Sequence, residues 1–201
     1  MAAAPTVHIV DDDLAMRDSL AFLLGAEGLV TTVYESAAAL LANVQTLGSG
    51  CIVTDVRMPG MTGIELMRRL KEMGIAIPVI VITGHGDVPL AVEAMRGGAL
   101  DFIEKPFDDA LILRAVRNAL VSGAAQQERE EERAAIATRL ATLSNRELQV
   151  LEGLVAGHAN KVIAYDLGIS PRTVEVYRAN LMTKMQADSL SDLVRMKLLM
   201  E

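Results

Sequence analysis

Reactive side chains follow four short apolar segments of this chain, at the point where each segment stops. The segments consist mostly of β-branched and aliphatic residues, which favours buried β-strands. The residues at or just after their ends are Asp11 with Asp12, Asp55, Thr83 and Lys105. Because parallel strands end at the same edge of their sheet, we expect these groups to meet there. Three carboxylates, a hydroxyl and an ammonium predict a site for a divalent metal and for phosphoryl transfer.

The carboxylates suit a magnesium ion, which prefers oxygen ligands and usually takes one or two carboxylates from a protein. Asp12 and Asp55 are the expected carboxylate ligands, and Asp11 would hold metal-bound water. The backbone carbonyl of Arg57 could complete the ligand set.

Asp55 is also the candidate nucleophile, because a carboxylate can accept a phosphoryl group and form an acyl phosphate. A metal ion beside it would neutralise charge on the transferring group. Lys105 and Thr83 would contact phosphate oxygens through an ammonium and a hydroxyl.

These residues also have ordinary structural interpretations. Asp11 or Asp13 could cap the helix expected from Leu14, and Asp55 could be a turn residue before the segment 58–60. The hydroxyl and the ammonium could equally be loop residues. Their joint occurrence at four strand ends of one predicted sheet favours the site.

Strand and helix patterns alternate through residues 1–122, the first predicted domain. Strand patterns lie near 6–10, 30–34, 50–54, 78–82 and 100–104, and helical patterns near 14–27, 36–45, 62–73, 87–97 and 108–121. Asp87 is a candidate cap for the fourth of these helices. The alternation predicts an α/β fold of (βα)5 type, a doubly wound parallel sheet with helices on both faces.

Composition limits the class of protein. The chain has 201 residues, enough for one or two domains, and 51% are apolar, which excludes global disorder. Its single cysteine, Cys51, lies in an apolar strand and cannot support a disulfide framework. No signal-peptide pattern and no apolar run near the ~20 residues of a membrane span is visible. We therefore expect a cytoplasmic protein that does not enter a membrane.

Charge divides the chain into two regions. Residues 1–122 contain 9 basic and 15 acidic residues, whereas residues 138–201 contain 8 basic and 7 acidic residues. The net charge of −7 alone argues against nucleic-acid binding, but the second region lacks the acidic excess. Between them, residues 123–137 are rich in Ala, Glu, Gln and Arg and predict a linker, either a solvated helix or a loose tether.

Residues 138–201 contain only helical patterns, which predicts a small all-α second domain. Helices are expected near 144–155, 160–167, 171–185 and 189–199. Ser144 with Glu147 forms a capping-box pattern, Asn160 is a candidate cap, and Ser170-Pro171 predicts another helix start. The second and third helices have the proportions of a helix-turn-helix, which predicts DNA binding.

The second helix of such a motif lies in the major groove, with its first residues at base edges. The expected base-facing residues are Arg172, Glu175, Val176 and Arg178. The expected contacts to backbone phosphates are Lys161, Thr173, Tyr177 and Lys184. Charge alone is a weak indication, because a basic stripe is more often a solvated helix face.

The N-terminal pattern resembles the receiver domain of bacterial two-component response regulators over residues 5–121. The resemblance lies in Asp11-Asp12, in Asp55 followed by Met58-Pro59-Gly60, in Thr83, and in Lys105-Pro106-Phe107. It implies that Asp55 accepts phosphate from a histidine kinase. It also implies that Asp11 and Asp12 build a Mg²⁺ site.

The same resemblance implies a conformational switch. Thr83 and Phe102 would move together toward the phosphate, although the family more often has Tyr where this chain has Phe102. The peptide between Lys105 and Pro106 would be cis, which costs little for a bond before proline.

A dimer contact formed after phosphorylation is also implied. It would use Val92, Arg96 and Asp101, on and beside the fourth helix. For the other apolar residues of that helix, Val88 and Met95, the alternative is an ordinary core stripe.

The C-terminal pattern resembles the LuxR/NarL-type helix-turn-helix over residues 138–201, through the segments 143–147, 160–164 and 170–176. Across both domains, the segments 82–89 and 173–180 resemble the FixJ type of response regulator. This implies a FixL-like sensor histidine kinase, promoter DNA and RNA polymerase as partners. It also implies genes for nitrogen fixation or low oxygen as targets.

We therefore predict a phosphorylation-activated transcriptional regulator and not an enzyme. Phosphorylation of Asp55 would shift the receiver population, pair two chains and release the DNA-binding domain. One alternative is a phosphatase similar to the haloacid dehalogenases, but the second acid of that motif is replaced by Arg57. Another is a regulator whose C-terminal domain binds protein or RNA.

Overall fold

The computed structural model describes residues 4–84 and 88–200. The chain divides into two compact units, Met1–Gln127 and Glu128–Glu201. The boundary falls inside the segment predicted as a linker.

A five-stranded parallel sheet forms the centre of the first unit, in the order β2-β1-β3-β4-β5. The strands are β1 (Thr6–Val10), β2 (Val30–Tyr34), β3 (Gly50–Asp55), β4 (Val79–Thr83) and β5 (Asp101–Glu104). The helices are α1 (Leu14–Ala26), α2 (Ala37–Ala42), α3 (Gly63–Glu72), α4 (Val88–Gly97) and α5 (Asp109–Leu140), with a 3₁₀ turn at Val44–Thr46. The predicted α/β fold is confirmed.

Alternating side chains of the strands supply two apolar cores. Val7 and Ile9 of β1 belong to the core that contains Leu20, Leu24, Ile112 and Val116 of α1 and α5. Val10 belongs to the other core, together with Leu40, Leu66 and Leu70 of α2 and α3. Because neighbouring strand residues point to opposite faces, this division requires helices on both sides of the sheet.

Close strand pairing fixes the register at the base of the sheet. Gly50 pairs with Thr6 and has φ +153°, and a Cβ added there would lie 1.8 Å from the Thr6 carbonyl oxygen. Only glycine fits this approach. The pairing places Val10 beside Thr54, so β1 and β3 finish side by side.

The predicted linker is helical throughout. α5 was expected to end near residue 121, but it continues without interruption to Leu140. Residues 124–135 are exposed on every side of the helix, so tertiary packing does not hold them helical. Strong helix formers, mainly Ala, Glu, Gln and Arg, account for the conformation.

The fourth helix begins its described part at Val88. The predicted cap, Asp87, lies outside the described residues. The peptide between Lys105 and Pro106 is cis, as the resemblance implied. Among the described residues, no helix combines the length and the apolar character that a membrane crossing requires.

The described residues of the second unit form four further helices, α6 (Asn145–Val155), α7 (Asn160–Leu167), α8 (Pro171–Met185) and α9 (Leu190–Leu198). Their common core includes Val150, Leu151, Ile163, Val174 and Leu181, and the last turns of α5 contribute Ile136. Gly168 ends α7 in the left-handed region at φ 65°. The described part of this unit is helical, as predicted.

Two of the three predicted cap residues in this unit are confirmed. Ser144 and Glu147 form a reciprocal capping box, and Ser170 caps α8 ahead of Pro171. The prediction for Asn160 is wrong, because Ala159 occupies the cap position of α7 and provides no side-chain acceptor. The Asn160 side chain instead accepts a hydrogen bond from Arg178, 2.8 Å away.

Gln186 ends α8 with φ 54° and ψ 41°, a conformation that costs an L-residue energy. We expect Gln186→Gly to raise the free energy of unfolding by about 0.5–1 kcal/mol, because glycine adopts this conformation without strain but loses more entropy on folding. Urea unfolding followed by circular dichroism measures the change. Gln186→Val should lower the midpoint, and a midpoint unaffected by glycine would contradict the expectation.

Candidate functional site

The carboxyl end of the sheet brings three of the predicted site residues into direct contact. The Lys105 ammonium lies 2.7 Å from Asp55 Oδ1 and 3.0 Å from Asp11 Oδ2. Asp11 follows β1 and Asp55 ends β3, two adjacent strands, whereas Lys105 reaches them from the end of β5. The side chains at these three strand ends therefore lie together, as the predicted sheet topology requires.

Burial makes this contact electrostatically strong. Asp11 is 4% exposed and Asp55 is 8% exposed, while the Lys105 side chain is 20% exposed. Burial lowers the pKa of Lys105, but its hydrogen bonds to Asp55 and Asp11 prevail and raise that pKa above its ordinary value. Two buried carboxylates share one ammonium, so the site has an excess of negative charge.

Backbone amides hold the remaining carboxylate oxygens. Asp11 Oδ1 accepts a hydrogen bond from the Asp13 amide at 2.9 Å, and Asp55 Oδ2 accepts one from the Arg57 amide at 2.6 Å. Asp13 caps α1 through the Ala15 amide, which confirms the helix-cap interpretation for that residue. The carboxylate of Asp11 belongs to the site instead.

The other two predicted metal ligands, the Asp12 carboxylate and the Arg57 carbonyl, make no hydrogen bond or ion pair with this cluster in the segments that the structure describes. Asp12 and Arg57 are exposed, and the Arg57 contact to Asp55 uses its amide. Within residues 4–84 and 88–200, no three Asp, Glu, His or Cys side chains form a group that could hold a metal. The two buried carboxylates nevertheless provide the all-oxygen donor set and the negative charge that Mg²⁺ prefers.

The predicted switch pair lies on neighbouring strands. Thr83 ends β4 and is fully buried, and its carbonyl accepts a 2.7 Å hydrogen bond from the Lys105 amide. Phe102 on β5 is half-buried and packs against the core that contains Ala94 and Ala99.

The α4 surface is apolar and exposed. Val88 is 77%, Val92 43% and Met95 50% exposed, so the core-stripe interpretation of Val88 and Met95 is wrong. Arg96 is also exposed, whereas Asp101 is half-buried and accepts a hydrogen bond from the Phe102 amide. No ion pair between Arg96 and Asp101 occurs in the described part of the chain.

In the second unit, the first turns of α8 are open to solvent. Arg172, Glu175 and Val176 line a shallow depression there together with Ala179. Thr173 is half-buried, and its amide and hydroxyl both hydrogen-bond to the Ser170 hydroxyl. Lys161 is exposed on α7.

Three other residues predicted to contact DNA serve the fold of this unit. The Lys184 ammonium donates to Glu147 Oε2 at 2.7 Å, and this hydrogen bond, with that from the Ser144 amide, lowers the pKa of Glu147. Arg178 donates to Asn160 Oδ1 at 2.8 Å. Tyr177 is half-buried against the helical core. Each of these side chains thus makes an internal contact that helps to fix α8.

One buried charge was not anticipated. Arg17 on α1 is 9% exposed, and its Nη1 donates a 2.6 Å hydrogen bond to the Asp11 carbonyl oxygen. The sequence spacing could have indicated this burial, because Arg17 lies on the same face of α1 as the buried Leu20 and Leu24. A charged residue at a core position of an amphipathic helix indicates a specific polar partner.

Comparisons with known proteins match both units. Residues 7–117 match the family described as response regulator receiver domain, and residues 141–197 match bacterial regulatory proteins of the luxR family. The chain is 63% identical over 193 residues to the transcriptional regulatory protein FixJ of Azorhizobium caulinodans, covering 96% of this chain and 92% of that protein.

Two further relatives support the same assignment over the whole length. FixJ of Rhizobium meliloti is 55% identical over 193 residues, covering 96% of this chain and 95% of the relative. The low-resolution structure of the response regulator StyR superposes with a TM-score of 0.84 at 39% identity, covering 98% and 99% of the two chains. With a receiver domain followed by a luxR-family helix-turn-helix, this chain belongs to the two-component response regulators and is a transcriptional regulator.

Proposed function

We propose that Asp55 is the phospho-acceptor of this regulator and that its phosphorylation increases the affinity of the C-terminal domain for promoter DNA. The observation that carries the proposal is the contact of the Lys105 ammonium with the buried carboxylates of Asp55 and Asp11. A carboxylate beside a fixed ammonium can accept a phosphoryl group whose new negative charge is then already partly balanced.

The residues at this edge fit a Mg²⁺ ion. Asp11, Asp12 and Asp55 would hold it directly or through water, and the Arg57 carbonyl would complete the set. When bound, the ion neutralises charge on the transferring phosphoryl group.

The chain itself supplies the nucleophile and a cation. An Asp55 carboxylate oxygen forms the new bond to phosphorus as the bond from phosphorus to the donor nitrogen of the kinase histidine breaks. Lys105 would then exchange its contact with the Asp55 oxygen for a phosphate oxygen, and Thr83 would donate its hydroxyl to another. The partner in this step is a sensor histidine kinase.

Dimerisation through α4 and β5 would couple phosphorylation to DNA binding. The exposed side chains of Val88, Val92 and Met95 form an apolar stripe that a second copy could cover. Arg96 of one copy would pair with Asp101 of the other. Phe102 and Thr83 would link this face to the phosphate, and two chains would then present two helix-turn-helix motifs to paired half-sites.

Contacts to DNA would come from the exposed first turns of α8 and from α7. Arg172, Glu175 and Val176 would face base edges, while Lys161 and Thr173 would contact the backbone. Arg178, Lys184 and Tyr177 would stabilise α8 through their contacts with the rest of the second unit.

The names of the relatives suggest the biological setting. The relatives are transcriptional regulatory proteins named FixJ, and from the resemblance to the FixJ type we propose that this chain activates nitrogen-fixation or low-oxygen genes together with RNA polymerase. The kinase would be FixL-like. A regulator that receives phosphate and binds promoter DNA would act in the cytoplasm.

A gel shift with sheared genomic DNA tests the proposed function. The chain treated with acetyl phosphate and Mg²⁺ should bind more tightly than the untreated chain. Its affinity should fall about 10³-fold or more between 50 and 200 mM salt if six or more phosphates are contacted. Equal binding with and without the phosphodonor would contradict the proposal. Retention of RNA or protein without DNA would favour the alternative output.

A further inference from the structure

Arg17 is a buried cation whose position has no explanation in apolar packing alone. It lies on the buried face of α1, and its guanidinium donates to the carbonyl oxygen of Asp11, just after β1, at 2.6 Å. No described carboxylate forms an ion pair with it. Because a buried guanidinium without a charged partner costs free energy, a Met or Leu here would pack at lower cost.

The peptide that Arg17 contacts joins the two adjacent carboxylate residues at the end of β1. The Asp11 carbonyl belongs to the peptide between Asp11 and Asp12, so a bond to that oxygen restrains the backbone of both residues. Other bonds restrain Asp11 elsewhere. Its amide donates to the Tyr34 carbonyl at 3.3 Å, and its carboxylate accepts from Lys105 and from the Asp13 amide.

Asp12 has no such restraint on its side chain. It is exposed, and no hydrogen bond or ion pair of its carboxylate occurs within the described residues. The direction of this carboxylate therefore depends on the backbone conformation, which the Arg17 bond helps to fix. An exposed ligand can be pre-organised in this way through its own peptide group.

We propose that Arg17 is a positioning residue that holds the Asp11–Asp12 peptide so that both carboxylates can bind Mg²⁺. The proposal rests on the Mg²⁺ site included in the proposed function. Arg17 does not contact the ion or the phosphoryl group; it acts through the backbone of the acidic pair. Its own positive charge, by Coulomb's law alone, disfavours a second cation nearby.

A positioning role of Arg17 and a purely electrostatic role predict opposite changes in Mg²⁺ affinity. If Arg17 acted only as a charge, replacing it with a neutral residue would strengthen Mg²⁺ binding. If Arg17 positions the acidic pair, the same replacement weakens binding, as loss of an outer-shell partner commonly does by about 10- to 100-fold. The direction of the change in Mg²⁺ affinity therefore decides between the two.

The test measures Mg²⁺ dissociation constants of the full chain by isothermal titration calorimetry, without any phosphodonor. We expect Arg17→Met to weaken binding by at least about tenfold. Arg17→Lys keeps the charge but lacks the planar fork and the reach, so an intermediate loss of about threefold is expected. The matched control is Arg117→Met, which removes an exposed arginine of α5. This arginine pairs with Glu27, the residue that caps the C-terminus of α1. It should leave the affinity unchanged.

Unchanged or tighter Mg²⁺ binding by Arg17→Met would overturn the role of Arg17 while leaving the proposed function intact. If Arg17→Met does not fold, Arg17→Lys decides the matter, because wild-type affinity in that variant overturns the proposal. Absence of Mg²⁺ binding by the wild-type chain would overturn this inference together with the metal part of the proposed function. Phosphorylation at saturating Mg²⁺ should recover in Arg17→Met, since its Asp55 is intact.

Discussion

Replacing Asp55 by Asn should abolish dimerisation in response to acetyl phosphate. The substitution keeps the shape of the side chain and an oxygen that can accept the hydrogen bond from Lys105, but it removes the nucleophilic carboxylate. Multi-angle light scattering of wild-type chain with acetyl phosphate and Mg²⁺ should approach twice the mass of the untreated chain. Asp55→Asn should remain at the untreated mass under the same conditions.

The expected loss of dimerisation follows from the free energy that a two-state switch requires. Moving a receiver from 1:99 to 99:1 between two states requires about 5.5 kcal/mol of differential stabilisation. In the proposed mechanism the phosphoryl group at Asp55 is the source of that free energy. Without it the exposed α4 residues Val88, Val92 and Met95 are present but the dimer-competent state is rare.

Asp18→Asn is the matched control, because it removes the same charge from an exposed position on α1. This variant should dimerise as the wild type does. Dimerisation of Asp55→Asn to the wild-type extent would show that another residue accepts the phosphoryl group or that dimerisation is independent of phosphorylation. Either result would exclude the proposed role of Asp55.

The chemistry at the sheet edge could be predicted from sequence because topology alone brings it together. Asp11, Asp55 and Lys105 are separated along the chain, but each directly ends or follows an apolar strand, and parallel strands end at one edge. The strand order places β1 beside β3 but leaves β4 between β3 and β5, so the contact also needs the length of the Lys105 side chain. Strand patterns are local and strong, so this part of the prediction needed no tertiary information.

The internal partners of cations on helices were not predicted. Lys184 and Arg178 lie on a helix that was expected to contact DNA, yet both donate to acceptors on other helices of their own unit. A sequence shows that a side chain is long and charged but not which neighbour it meets. Glu147 was assigned correctly to a capping box, but its buried carboxylate has capacity for a second partner, and the packing of α6 against α8 brings Lys184 there.

The apolar residues of α4 were ambiguous for a related reason. Helical spacing identifies a shared face for Val88, Val92 and Met95 but does not say whether anything covers that face. In the structure Ala94 is the buried residue of this helix. Periodicity predicts which residues lie together, and only the position of the helix on the sheet decides which face is inside.

Removing the Lys105 ammonium should cost the receiver much of its stability. Lys105→Met would leave two buried carboxylates, Asp11 and Asp55, without their shared cation. Breaking a buried pair by removing one partner costs about 3–5 kcal/mol, and the partial exposure of Lys105 favours a loss of about 3 kcal/mol. Urea unfolding of the full chain at neutral pH, followed by circular dichroism, measures the difference. Lys71→Met, which removes an exposed lysine of the same unit, should cost less than about 0.5 kcal/mol.

The pH dependence of this difference identifies its electrostatic origin. The pKa of Lys105 is raised in the folded chain above its ordinary value of 10.5, so the group stabilises the protein fully below about pH 10.5. That stabilisation is lost as the pH rises through the folded pKa. The gap in unfolding free energy between wild type and Lys105→Met should therefore be constant from pH 7 to 9 and shrink above pH 10.5. A gap that stays constant into that alkaline range would mean that the lysine stem, and not its charge, supports the site.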